Sequence, residues 1–115
     1  YALRVHQAGL HDDTAIRSEL AWMQALHKDG FPVPAVVPAE NDDCVVTVRV
    51  GNETRRCSLL EWIEGSLFND LGRVENGMQE EMCDRYWQLG ALAARLHIQA
   101  MSWQPPADFE RHAWD

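Results

Sequence analysis

Basic residues are scarce in this chain of 115 residues, in which 10 Lys and Arg face 18 Asp and Glu for a formal net charge of −8. Proteins that bind nucleic acid carry basic patches that release counterions from the phosphate backbone. The charge balance therefore argues against DNA or RNA as a partner. An acidic surface suits a cationic small substrate, although it more often serves only solubility.

Long apolar runs are also missing, and none approaches the roughly 20 residues with which a helix crosses a bilayer. No signal peptide heads the chain, and no methionine begins it. The three cysteines, Cys44, Cys57 and Cys83, have no metal-binding spacing. We therefore predict reduced thiols, no zinc site, no membrane association and a cytoplasmic location.

Two strand-like runs follow each other in the middle of the chain. The run from Cys44 to Val50 is dense in β-branched residues, and the second runs from Thr54 to Leu60. Gly51-Asn52 lies between them and is a hairpin turn signal, because glycine tolerates the positive φ of a tight reversal. This pairing sets Val46 opposite Cys57, so that Cys44 and Cys57 are offset and do not form a disulfide.

Two charged residues, Arg4 on a predicted strand and Glu19 on a predicted helix, lie at positions where each needs a partner of opposite charge. In the alternating run from Tyr1 to His6, Arg4 projects from the face opposite Leu3. Glu19 lies one helix later, inside the stripe formed by Ile16, Leu20, Met23 and Leu26. A carboxylate on this face needs a cation, and the preceding strand offers Arg4. The pair is predicted to form a salt bridge, whether it is functional or only structural.

The sequence contains start and end signals for two helices. Asp12 or Asp13 can cap a first helix that runs to about Lys28, before Gly30. A longer helix is predicted from about Gln79 to Met101, with an apolar stripe that comprises Met82, Tyr86, Leu89, Ala93, Leu96 and Ala100.

This order of elements resembles the aminoglycoside phosphotransferase family of kinase-like small-molecule phosphotransferases. Leu3-Arg4-Val5 resembles its phosphate-binding strand, Ser18-Glu19-Leu20 its partner helix, and Leu59 to Gly65 its hinge. The run from Leu89 to His97 resembles the first long helix of its large lobe. The four motifs occur in the family's order and cover nearly the whole chain.

The resemblance implies an α+β fold in which a kinase-like small lobe of antiparallel strands and one packed helix precedes the first long helix of the large lobe. The implied divisions are a partial N-terminal lobe over 1–63, a hinge and linker over 61–76, and the start of the helical C-terminal lobe over 77–115. They place this chain in a longer protein, as a piece truncated at both ends.

The resemblance also implies an ATP-dependent kinase that uses Mg²⁺ and transfers phosphate to a hydroxyl or similar group of a small molecule. Arg4 would hold the α and β phosphates, Glu19 would fix Arg4, and the backbone of Glu61, Trp62 and Ile63 would pair with adenine. The family more often has lysine at the position of Arg4. The arginine fork can still hold a carboxylate and a phosphate oxygen together.

The catalytic and metal-binding parts of such a kinase are missing from the sequence. It contains no His-Gly-Asp or Asp-Phe-Gly segment and no glycine-rich hairpin before Tyr1. We therefore predict no catalytic residue and no metal ligand within this chain, and no activity of the chain alone. The alternative is a non-catalytic α+β interaction module in which Arg4 and Glu19 form a structural salt bridge. The sequence does not predict the oligomeric state.

Overall fold

The structure is a computed structural model that describes residues 1–67 and 79–111. The predicted linker from residue 68 onwards, the first two residues of the predicted C-terminal lobe and residues 112–115 lie outside the described residues. The fold is α+β, as predicted, and its elements in chain order are β1 (Ala2–Val5), α1 (Asp13–Lys28), β2 (Val36–Val37), β3 (Val46–Val50), β4 (Glu53–Leu60) and α2 (Gln79–Ser102).

Strand β4 is the centre of an antiparallel sheet and pairs with each of the other three strands. Strand β1 pairs along one side of β4, with Arg4 opposite Ser58. The turn between β3 and β4 is Gly51-Asn52, with Gly51 at φ +62, which fits a type II′ hairpin. The predicted register, with Val46 opposite Cys57, is confirmed.

Strand β2 was not predicted from the sequence. It has only two residues, Val36 and Val37, and pairs with the last two residues of β4. The N–H of Glu61 donates to the carbonyl of Ala35 at 2.9 Å and extends this pairing by one step. A two-residue strand is too short to show an alternating pattern, and only its partner strand defines it.

Helix α1 has the ends that the sequence predicts. The Asp12 carboxylate accepts a hydrogen bond from the N–H of Ala15 at 2.8 Å, which satisfies one of the unpaired donors of the first turn. At the other end Gly30, at φ +83, donates to His27, and Phe31 donates to Leu26, each at 3.0 Å. This is a Schellman motif, and glycine is favoured there because the position requires positive φ.

The core lies between α1 and one face of the sheet. Its buried residues are Ile16, Leu20, Val45 and Leu60. Ala2 pairs with Leu60, so Ala2 and Arg4, two residues apart on β1, share the face that α1 covers. The opposite face is apolar and exposed, and it includes Leu3, Val5, Val46, Val48 and Val50.

The chain divides into two compact units. The first contains the sheet, α1 and the segment that begins at Gln104. The second contains α2, on which Tyr86, Trp87, Leu89, Ile98 and Met101 are exposed. Neither helix of the described residues is long and apolar enough to span a membrane.

Candidate functional site

The predicted ion pair between strand and helix is formed. An Nη1 donor of Arg4 lies 2.6 Å from Oε1 of Glu19, and about a third of each side chain remains exposed (33% and 30%). Strand alternation directs Arg4 towards α1, and helical periodicity places Glu19 on the side of α1 that meets the sheet. The contact occupies one edge of the guanidinium, so donors remain for an anion such as a phosphate.

The surroundings of Glu19 favour its charged form. Partial burial acts to raise the pKa of Glu19, but the hydrogen bond and charge of Arg4 outweigh it, with help from the charge of Arg111. The pKa is therefore lowered below its ordinary value. Glu19 is held as a carboxylate, which is the form that orients an arginine.

His6 directly follows β1 and comes two residues after Arg4. Its Nε2 shares a hydrogen bond of 3.1 Å with the hydroxyl of Ser58, the residue paired with Arg4. Burial and the nearby charge of Arg4 lower the pKa of His6 below its ordinary 6.5. The imidazole is therefore predominantly neutral at pH 7 and adds no second positive charge beside Arg4.

Acid should destabilise the folded chain through His6. Because its folded pKa is lowered, the unfolded chain binds more protons at this residue as the pH falls below the ordinary pKa. The stabilising contribution is complete above about pH 6.5 and is lost as the pH falls through the lowered folded pKa. Replacing His6 by glutamine should therefore flatten the fall in the free energy of unfolding over this window, measured by urea titrations at a series of pH values.

His27→Gln is the matched control for this measurement, because it removes an imidazole that is exposed and bonded instead to the carbonyl of Val33. An unchanged pH slope in His6→Gln would show that His6 does not have the environment described here.

A second arginine reaches Glu19, and the sequence did not predict it. Nη1 of Arg111 lies 3.7 Å from Oε2 of Glu19, on the oxygen that Arg4 does not contact. The preceding residue, Glu110, donates its N–H to the hydroxyl of Ser18 at 2.8 Å. The only sequence signal was Ser18 itself, a polar residue next to Glu19, which gives no indication of its partner.

A network of exposed charges joins the first turn of α1 to the sheet and the loop before β3. Arg17 makes two hydrogen bonds to Asp43, at 2.6 and 3.1 Å, and contacts Asp13 at 2.7 Å. Asp13 also accepts a contact of 3.2 Å from Arg56 on β4. The hydrogen bonds from Arg17, with one from the N–H of Val45, lower the pKa of Asp43 to about 2. These contacts join α1 to β4 and to the loop before β3.

The residues predicted to meet adenine directly follow β4. Glu61, Trp62 and Ile63 are exposed, and the N–H of Glu61 already donates to Ala35. Because that N–H is already paired, the backbone group of Glu61 that can face a base is its carbonyl. Leu60, the last residue of β4, pairs with Ala2, which lies two residues before Arg4. Measured along the sheet, the segment therefore begins within roughly 10 Å of the backbone of Arg4.

Within residues 1–67 and 79–111, no group of histidine, cysteine, aspartate and glutamate side chains could hold a metal ion. All three cysteines are free thiols. What the described residues bring together is a partly exposed cation, oriented by a carboxylate and close to a strand end that leads into an exposed segment. This arrangement can bind an anion.

Comparisons with known proteins agree with the fold described above. The model of the phosphotransferase enzyme family matches residues 1–115. A solved structure, described as the microcompartment-associated aminopropanol kinase, is similar with 34% sequence identity and a TM-score of 0.77. The match covers 98% of this chain and 33% of that chain, so this chain spans about a third of the length of the solved kinase. No curated protein matches the chain significantly.

Proposed function

The chain belongs to the phosphotransferase enzyme family, and from this premise we propose that it is part of an ATP-dependent small-molecule kinase that transfers phosphate to a hydroxyl group. The observation that carries the proposal is the 2.6 Å contact between Arg4 and Glu19. A strand cation that is oriented by a helix carboxylate is the arrangement with which kinase-like enzymes hold the phosphates of ATP.

We assign the phosphates to Arg4 and its orientation to Glu19. The Arg4 side chain fits this role because it is partly exposed and keeps guanidinium donors beyond the one given to Glu19. With His6 neutral, the positive charge around Glu19 comes from Arg4 and Arg111. ATP would supply the phosphoryl group, and Mg²⁺ would be held by residues beyond the described part of this chain.

We assign the adenine to the exposed segment of Glu61, Trp62 and Ile63. The Glu61 carbonyl can accept a hydrogen bond from an adenine amino group, and the large exposed ring of Trp62 offers apolar surface next to it. In this proposal residues 1–63 belong to the small lobe, 61–76 to the hinge and linker, and 77–115 to the start of the large lobe. The exposed apolar side chains of α2 support a longer protein that covers them, and we place that protein in the cytoplasm.

The acceptor is proposed only as a class. The similar solved structure is an aminopropanol kinase, whose name describes an amino alcohol as its substrate. The net charge of −8 is compatible with a cationic acceptor. Small amino alcohols are therefore the first compounds to test, with neutral alcohols of the same size as comparison.

The test is an ATP-consumption assay on the full-length protein that contains this chain. The proposal expects phosphorylation of at least one alcohol in the panel, with product identified by mass spectrometry, and ATP binding detectable by calorimetry. A folded full-length protein that neither binds ATP nor transfers phosphate would favour the interaction module with a structural Arg4–Glu19 pair.

The 115-residue chain alone should transfer no phosphate. Positioning and metal-assisted stabilisation of charge supply nearly all of the catalysis in this reaction, and the described residues contain no group of side chains that could hold a metal ion. We expect the purified chain to show no ATP turnover above a buffer blank, measured by coupled release of ADP. A contaminating kinase is controlled by a preparation of the Arg4→Ala chain, and turnover that is lost in that variant would show that the chain contains catalytic residues after all.

A further inference from the structure

The segment after α2 is attached to the helix of Glu19 at two consecutive positions. The N–H of Glu110 donates to the Ser18 hydroxyl at 2.8 Å, although these residues are 92 positions apart in sequence. The next residue, Arg111, contacts the next helix residue, Glu19. A cleft of about 140 Å³ between the two is lined by Arg17, Ser18, Ala21, Pro106, Asp108 and Phe109.

The bond to Ser18 is the firm part of this attachment. Ser18 is only 4% exposed, and a buried hydroxyl in the middle of a helix destabilises the fold unless it has a hydrogen-bond partner. Here its partner is the backbone N–H of Glu110, a group that every substitution at that position except proline keeps. The segment is thereby fixed in the one register that delivers Arg111 to Glu19.

We propose that Arg111 is a positioning residue for the phosphate-binding arginine, holding Glu19 by Oε2 while Arg4 holds Oε1. The inference rests on the proposed function, because it concerns how Arg4 is aimed at a phosphate. The charged and titratable groups that act on Glu19 are Arg4, Arg111 and His6. Of the two arginines, Arg4 is the closer, at 2.6 Å against 3.7 Å.

Arg4 and Arg111 contact different oxygens of Glu19, so Arg111 can have a role of its own. When a phosphate engages Arg4, the guanidinium must share its donors between phosphate and Glu19. A partly buried carboxylate whose only cation is drawn away is left poorly compensated. Arg111 on the other oxygen keeps Glu19 charged and fixed in orientation, so that Arg4 can turn towards the phosphate without losing its own support.

Two measurements test this inference, and the first needs no nucleotide. In the 115-residue chain, the Glu19 carboxyl is titrated by ¹³C NMR in the wild type and in Arg111→Gln. Loss of the positive charge should raise the pKa of Glu19, and Arg111→Lys should restore it, because lysine keeps the charge. An unchanged Glu19 titration in Arg111→Gln would overturn the inference, since the contact would then not act on Glu19.

The second measurement uses the full-length protein. Arg111→Gln should raise the KM for ATP by up to about fivefold, with a smaller change in kcat, because a partly exposed ion pair contributes about 1 kcal/mol at most. Arg111→Lys should recover most of the loss. Arg85→Gln is the matched control, since it removes an arginine from an exposed ion pair with Glu81 on α2 and should leave KM unchanged.

Failure of the inference and failure of the proposed function give different results. If Arg4→Ala abolishes ATP use while a folded Arg111→Gln protein keeps the wild-type KM, the kinase assignment stands and the role of Arg111 is wrong. If Arg4→Ala leaves ATP use unchanged, both the phosphate role of Arg4 and the positioning role of Arg111 are wrong, whatever the NMR titration shows.

Discussion

Replacing Arg4 by alanine in the full-length protein should lower kcat/KM for ATP at least 100-fold, which corresponds to about 2.7 kcal/mol of transition-state stabilisation. Arg4 is the cation that β1 aims at the helix side of the sheet, and Glu19 holds it at 2.6 Å. Charge that develops on the transferred phosphoryl group is stabilised by such fixed cations more than by water. Removing the side chain removes that stabilisation entirely.

Two further variants, one at Arg4 and one at its partner Glu19, separate the effect of charge from that of geometry. Arg4→Lys should retain much more activity than Arg4→Ala, because lysine still meets a phosphate as a point charge, although it cannot hold phosphate and Glu19 with one planar fork. Glu19→Gln should be intermediate, because it preserves the shape of the carboxylate and loses the charge that orients Arg4.

Each variant must first be shown to fold, by a cooperative thermal melt. Loss of one partner of a partly buried ion pair can destabilise the fold and imitate a catalytic defect. Arg55→Ala is the matched control, because Arg55 pairs with the exposed Glu53 at the far end of β4 and should leave kcat/KM near the wild-type value. Near-normal turnover in folded Arg4→Ala would show that Arg4 does not hold the phosphates and that its ion pair with Glu19 is only structural.

Truncating Leu20 to alanine should destabilise the chain by about 2–5 kcal/mol, the range measured for buried leucines in protein cores. Leu20 is 2% exposed and lies in the cluster of Ile16, Val45 and Leu60 that joins α1 to the sheet. The free energy of unfolding of a small domain is only about 5–15 kcal/mol, so this single change removes a large share of the stability. The measurement is the free energy of unfolding from urea titration.

Leu10→Ala is the control for the core prediction. It removes the same atoms from a leucine that is 63% exposed, and it should change the free energy of unfolding by less than about 0.5 kcal/mol. Equal effects of the two substitutions would show that α1 does not pack on the sheet as described. Since Leu20 follows Glu19 directly, such a result would also remove the basis for the placement of Glu19.

Much of the local structure could be predicted from short-range patterns. The ends of α1 depend on Asp12 and Gly30, whose capping preferences are local. The β3–β4 hairpin depends on Gly51-Asn52, and its register follows once the turn is fixed. The Arg4–Glu19 contact was also predictable, because a carboxylate inside an apolar helix stripe needs a cation and the preceding strand had one to offer.

Other parts could not be predicted because they depend on residues far apart in the chain. Alternation along β1 separates Leu3 and Val5 from Arg4, but alternation alone does not say which face a helix will cover, and only the need of Glu19 for a cation favoured the face of Arg4. In the structure the more apolar face of β1 is the exposed one, with Leu3 66% exposed. Strand β2 is likewise defined only by its pairing with β4.

The sequence by itself determined the extent of both helices and the β3–β4 hairpin, and it identified the pair Arg4 and Glu19. These features follow from period, caps and turns, which act over a few neighbouring residues. Only the tertiary structure decided that Arg111 joins Glu19 and that β2 pairs with β4. The reason is physical: the attachment of Glu110 to Ser18 spans 92 positions, and contacts at that separation are set by packing of the whole unit, which no local pattern records.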